Sequence, residues 1–172
     1  MARSLLADAF DHHIWATSRL LDACAGLSAE QLETNVPGTY GSIIDTLRHL
    51  VGADRGYLTL LSDDALPRIE EEAEATMTAA ELRAAIVEDG PVWTSLLMSD
   101  LDPDRIVVRH RDDGSESHAP LGIRLAQVPH HGTDHRSQVC TALTSLGVEP
   151  PLIDVWDFAE SQGRLKETAP TA

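Results

Sequence analysis

Imidazoles are the groups in this chain whose type and spacing could do chemistry. Of eight histidines, His131 and His135 form the only pair four residues apart. On a helix that spacing puts two rings on one face, within reach of a single cation. Eight histidines scattered over 172 positions give roughly 0.4 such pairs by chance, so the motif needs support. Two features supply it. His135 falls on the apolar stripe of its segment, and His49 sits between Leu47 and Val51 in the most apolar half of another. Three inward imidazoles on two packed helices are the minimum set for a metal that keeps open coordination positions. Spacing alone leaves another role open to each ring, that of a core histidine bonded to a backbone carbonyl or an acid. His130 is five residues before His135 and so belongs to a different face.

Helices must position these rings. Apolar residues Leu5, Phe10, Ile14, Trp15, Leu20, Leu21 and Cys24 predict a first helix over about 4–26, stopped by Gly26. Ser28-Ala-Glu-Gln31 and Thr78-Ala-Ala-Glu81 read as capping boxes. Ser42 reads as the N-cap of a helix carrying Ile43, Leu47, Leu50, Val51, Leu58 and Leu61. The acid-rich stretch 62–75, with Pro67, reads as a solvated connection. The helix opened by Thr78 continues past Gly90-Pro91 with an expected kink. Ile106–Val108 followed by Asp112-Asp113-Gly114-Ser115 reads as a short hairpin. Pro120 suits the first position of the last long helix, which carries His131 and His135 and which Pro129 should kink. A short helix over about 154–162 and a frayed tail over about 164–172 complete a single domain spanning 1–172. The expected fold is all-α, a four-helix bundle with a hairpin insert before its last long helix.

Composition excludes several classes. Thirteen basic residues against 28 acidic ones give a net charge of −15, a field that repels nucleic-acid backbones and anionic lipid headgroups. No stretch approaches the roughly 18 uninterrupted apolar residues of a membrane span. Asp8, His12 and His13 interrupt the start before a signal region could form, so a cytoplasmic protein is expected, with no nucleic-acid or membrane partner. Cys24 and Cys140 are expected to be buried small hydrophobes, not a disulfide or nucleophiles.

Three runs, in order, carry a resemblance: Leu27-Ser-Ala-Glu-Gln with Pro37-Gly-Thr-Tyr-Gly-Ser-Ile-Ile-Asp-Thr-Leu-Arg-His49-Leu; His131-Gly-Thr-Asp-His135-Arg-Ser-Gln138; and Leu146-Gly-Val-Glu-Pro-Pro151. With Trp15-Ala16 and Arg19-Leu20-Leu21, they make the chain resemble the DinB family of bacterial proteins read as metalloenzymes, which is distinct from the polymerase of the same name. The H-x-x-x-H-R-x-Q element is the most specific part. The resemblance implies an up-down-down-up four-helix bundle, often dimeric, with a divalent metal on three histidines that map onto His49, His131 and His135. Pro129 departs from the pattern and bears on how His131 points. Members of the family include thiol transferases and thiol-dependent isomerases that use low-molecular-weight thiols.

Three neutral histidines leave a cation its full charge, which acidifies a bound water or thiol. Zinc suits this chemistry, with nickel as the alternative, and a low-molecular-weight thiol is the expected cosubstrate. The expected function is that of a metal-dependent small-thiol transferase or a thiol-dependent isomerase or hydrolase acting on a small molecule. The alternatives are a stress-response or binding module with a structural metal, and a metal sensor. Asp45, one turn before His49, and Asp134, beside His135, are weak candidates for bases or imidazole-orienting acids. Arg136 is a candidate substrate anchor or a partner for an acid across the bundle. A site pocket is expected between the second and fourth long helices, walled partly by the first. A homodimer is expected from apolar strips left on the first and third long helices.

Overall fold

The computed structural model of the chain describes residues 4–64 and 66–168. Among them are four long helices, α1 (Ala7–Cys24), α3 (Ile43–Leu61), α5 (Ala79–Met98) and α6 (Leu121–Ser145). Three are short: α2 (Ala29–Leu32), α4 (Glu71–Glu74) and α7 (Val155–Ser161). Strands β1 (Ile106–His110) and β2 (Glu116–Pro120) pair antiparallel between α5 and α6. The protein is therefore mostly helical, with one small hairpin among the described residues. No helix of the described residues is long and apolar enough to cross a membrane.

The helix starts lie where side-chain caps can meet free backbone donors. Ser28 Oγ accepts from the Gln31 N–H at 3.2 Å, and the Gln31 side chain accepts from the Ser28 N–H at 2.9 Å. Thr78 and Glu81 repeat that exchange at α5, each cap contributing about 1 kcal/mol. Ser42 caps α3 through the Asp45 N–H at 3.2 Å. An isolated bridge between Asn35 and Ser42 closes the loop before α3, where Gly38 takes a φ of 91° that a side chain would resist.

Two local expectations need correction. Pro120 is the N-cap of α6, one residue before the position expected, because it still pairs with Ile106 in the hairpin. The connection 62–75 is not wholly solvated: Ile69 packs on the core, and α4 carries Glu74 against the face of α3 at Gly52. The tail is held at Arg164, whose guanidinium meets the Asp8 carboxylate at 2.5 and 2.9 Å; residues 165–168 have no regular structure, and 169–172 lie outside the described residues. Both α5 and α6 continue through their internal prolines, Pro91 and Pro129. Packing on neighbouring helices outweighs the one ladder bond each proline removes.

Helix α1 packs on α5 and α6, and α3 packs on the same two. The core they enclose is split into two apolar clusters. One holds Leu20, Leu21, Leu47, Val51, Leu82, Ile86, Val139 and Leu143. The other holds Phe10, Leu58, Trp93, Leu121, Leu125 and Val128. On every long helix the residues between the two clusters include buried polar groups: His13 and Thr17, Asp54 and Arg55, Asp89, then His135 and Arg136. Arg55 Nε donates to Asp89 Oδ1 at 2.6 Å, and its Nη1 reaches the Pro67 carbonyl at 3.3 Å. This buried pair thereby ties the 62–75 connection to the bundle, which matters because that connection walls the site.

Candidate metal centre

His49 of α3 meets His131 and His135 of α6, with one ligand atom from each ring lying within 4.8 Å of the others. The Nε2 atoms of His49 and His131 are 3.1 Å apart. Two nitrogens at about 2.0–2.1 Å from a tetrahedral zinc stand roughly 3.3–3.4 Å from each other, so small ring rotations fit this trio to an ion. His135 Nδ1–H donates to Gln138 Oε1 at 3.2 Å, which leaves its Nε2 as the atom it could offer to an ion. Gln138 Oε1 also accepts from the Tyr40 N–H at 2.9 Å, pinning the 35–42 loop over the site. The Tyr40 ring stacks on His49 with centroids 4.1 Å apart and meets His135 edge-on at 5.4 Å.

Electrostatics hold two of these rings neutral. Burial lowers the His131 pKa to about 4, helped by the neighbouring His135 and His49. Burial, then His135, lowers that of His49. Neither ring has to lose a proton at neutral pH before it binds a cation. Pro129 does not disturb the meeting: the helix runs on through it, Thr133 Oγ1 donates to the Pro129 carbonyl at 2.8 Å, and His131 still faces His49.

His49 and His131 open into a cleft of about 600 Å³, walled on one side by Arg68 and Glu74 and on another by Arg109. The sequence places the pocket between the second and fourth long helices and partly against the first; α3 and α6 both line it, but no residue of α1 does. Its remaining walls come from the 62–75 connection and β1, with Gly52, Ala53 and Gly56 of α3 leaving room beneath. Burial raises the Glu74 carboxyl pKa, with Arg68 acting against it. A second recess of about 310 Å³, between α1 and α5, contains none of the histidines.

The other candidates fall outside the trio. Asp45 is exposed and accepts from the Ser42 hydroxyl at 2.7 Å, so it serves the start of α3. Asp134 is exposed beside His130, 3.7 Å away, and His130 itself points to solvent as its face required. Arg136 is only 3% exposed and donates to His13 Nδ1 at 2.9 Å and Thr17 Oγ1 at 3.1 Å, so its partner across the bundle is a histidine. Of the adjacent pair on α1, His13 is fully buried and His12 donates to the Ile153 carbonyl at 2.8 Å. Cys24, its pKa pushed up to about 12 by burial, and Cys140, raised for the same reason, are unsuited to act as nucleophiles.

Sequence reasoning gave Tyr40, Gln138 and Asp54 no role. Gln138 was within reach, since three residues after His135 is a facing position on a helix. Tyr40 comes from a loop whose return over α3 has no periodic signature. No curated protein matches the chain. The family model that does match, DinB family, covers residues 1–169 of the 172, and on that match, over a helical fold carrying the histidine trio, the chain belongs to the DinB family.

Proposed function

We propose that the protein is a metal-dependent enzyme centred on His49, His131 and His135, transferring a low-molecular-weight thiol or using one in isomerisation or hydrolysis. The observation that carries this reading is the opening of His49 and His131 into the 600 Å³ cleft. A metal that only stapled helices together would have no use for adjoining space of that size, and structural zinc sites are typically saturated by protein ligands. A divalent ion, zinc first and nickel second, supplies Lewis acidity that lowers the pKa of a coordinated thiol or water.

The chain's own groups do the rest. Gln138 holds His135 in the tautomer that presents Nε2. Tyr40 covers the His49 ring and keeps water off that face. Glu74, its carboxyl raised by burial, is suited to take the thiol proton at a carboxylate oxygen. Arg68 and Arg109 offset the acidic net charge locally, so an anionic part of a substrate is tolerated there. The metal-loaded protein should turn over at least one pairing of a bacterial low-molecular-weight thiol with a small electrophile, and His135→Ala should abolish it. Equal rates in both proteins would reject the enzyme.

The order of the two apolar clusters along the helices supports an up-down-down-up bundle: α1 and α6 meet the Phe10–Val128 cluster first, α3 and α5 the other. A cytoplasmic location belongs to the same reading, in keeping with two free cysteines. A homodimer does too, although its support lies around α7 more than on α1 and α5: Leu152, Val155 and Trp156 are 70, 54 and 68% exposed. Light scattering at micromolar protein should return twice the chain mass. A monomer mass over the whole accessible range would reject the dimer.

A further inference from the structure

Metal-binding histidines rarely stand alone: the ring nitrogen not facing the ion usually donates to a carboxylate, a carbonyl or a water that fixes the ring. Gln138 meets that need for His135. His131 has no such partner. Its Nε2 faces His49, and its Nδ1 is buried without a hydrogen bond. With Nε2 turned to an ion the ring proton is on Nδ1, and an orphaned N–H in the interior is costly, so something must receive it.

A matching orphan stands in the same polar layer. Asp54 is fully buried on α3, and its Oδ1 is unpaired while its Oδ2 is taken. The hydrogen bonds around it fix how Oδ2 is used. Arg136 carries only donors, so its Nη1–H bond of 2.9 Å to His13 Nδ1 leaves that nitrogen bare. The His13 proton is therefore on Nε2, which donates to Asp54 Oδ2 at 2.7 Å. Asp54 thus accepts at Oδ2 and has Oδ1 to spare, and it lies close enough to act electrostatically on the His131 ring.

We infer that Asp54 is the positioning residue of the metal centre, its free Oδ1 receiving the Nδ1–H of His131 directly or through one buried water. The chain of contacts then runs Arg136, His13, Asp54, His131, and joins three of the long helices to one ligand. It gives Arg136 and the buried His13 a task that neither a substrate anchor nor a lone ion pair explains. Asp54 does not touch substrate; it fixes the tautomer and the angle at which His131 presents Nε2.

The inference rests on the metal reading, and the test separates the two. Zinc is titrated into the full-length wild-type and Asp54→Asn proteins, and long-range ¹H–¹⁵N spectra read the His131 ring in each. The wild-type zinc form should show a protected, downfield Nδ1–H on His131. In Asp54→Asn that proton should move upfield and exchange faster, and zinc should bind roughly 10–100-fold more weakly. His13→Gln, which disturbs the same buried network but spares Oδ1, should retain the Nδ1–H signal. Should Asp54→Asn fail to fold, the wild-type spectrum still decides, because an unprotected, freely exchanging Nδ1–H there overturns the inference. Unchanged affinity and an unchanged Nδ1–H in folded Asp54→Asn overturn the role of Asp54 alone. No zinc uptake by the wild-type chain overturns the metal reading, and the inference with it.

Discussion

Purified protein given zinc should retain about one equivalent per chain after dialysis, and His131→Ala should bind it at least about a hundredfold more weakly. The magnitude follows from the geometry: removing His131 leaves two ligands where three converge within 4.8 Å, and loss of a mere outer-sphere partner already costs about 10–100-fold. His49→Ala and His135→Ala should fall in the same range. His130→Ala is the internal control, because that ring is 70% exposed and turned away from the trio. Elemental analysis gives the stoichiometry, and competition with a chromophoric chelator gives the affinity. Binding should also appear as stability, about 4 kcal/mol when free zinc exceeds its Kd a thousandfold. Undiminished zinc in a His49→Ala, His131→Ala double variant would dispose of the site. Loss of zinc in His130→Ala would show that the wrong neighbour had been chosen.

How much of this site could be read from sequence divides along the reach of helical periodicity. His131 and His135 are legible because one helix sets their separation, and His49 because its flanking apolar residues place it inward. The caps at Ser28, Ser42 and Thr78 are legible because a cap is a four-residue event. What stayed hidden depends on contacts between segments distant in the chain. Tyr40 reaches Gln138 across 98 residues, and Arg136 reaches His13 across 123. The acidic stretch 62–75 looked solvated because its composition is polar, yet Arg55 and the packing of Ile69 bring it onto the bundle. The walls that the 62–75 connection and β1 give the cleft are hidden in the sequence for the same reason. Polar composition records average solvation and says little about which neighbour a connection leans against.

Gly132 marks the point where close helix approach replaces a side chain, and filling it should damage the protein severely. A Cβ there would run into the Cε1 and Nδ1 atoms of His13 and stand 2.8 Å from Arg136 Nη1. His13 is fully buried and bonded on both ring nitrogens, so it cannot step aside without giving up Asp54 or Arg136. Overpacking costs about 1–3 kcal/mol, and a lost hydrogen bond to a charged group about 1.5–3 more. Against this, replacing a mid-helix glycine by alanine returns about 1 kcal/mol. Gly132→Ala should therefore lose about 1.5–5 kcal/mol, lowering the melting temperature by roughly 3–20 °C in a chain of this size. Gly52→Ala is the discriminating comparison. Its Cβ would also collide, but with the carboxylate end of Glu74, a flexible side chain that can swing into the cleft. That carboxylate carries a burial penalty which its release removes, so the helical gain should survive and Gly52→Ala should match or slightly exceed wild-type stability. Thermal unfolding of both variants separates the causes. If Gly132→Ala melts with the wild type, α1 and α6 do not approach as closely as the His13–Arg136 contact requires; if both fall equally, mid-helix crowding and not the buried histidine is responsible.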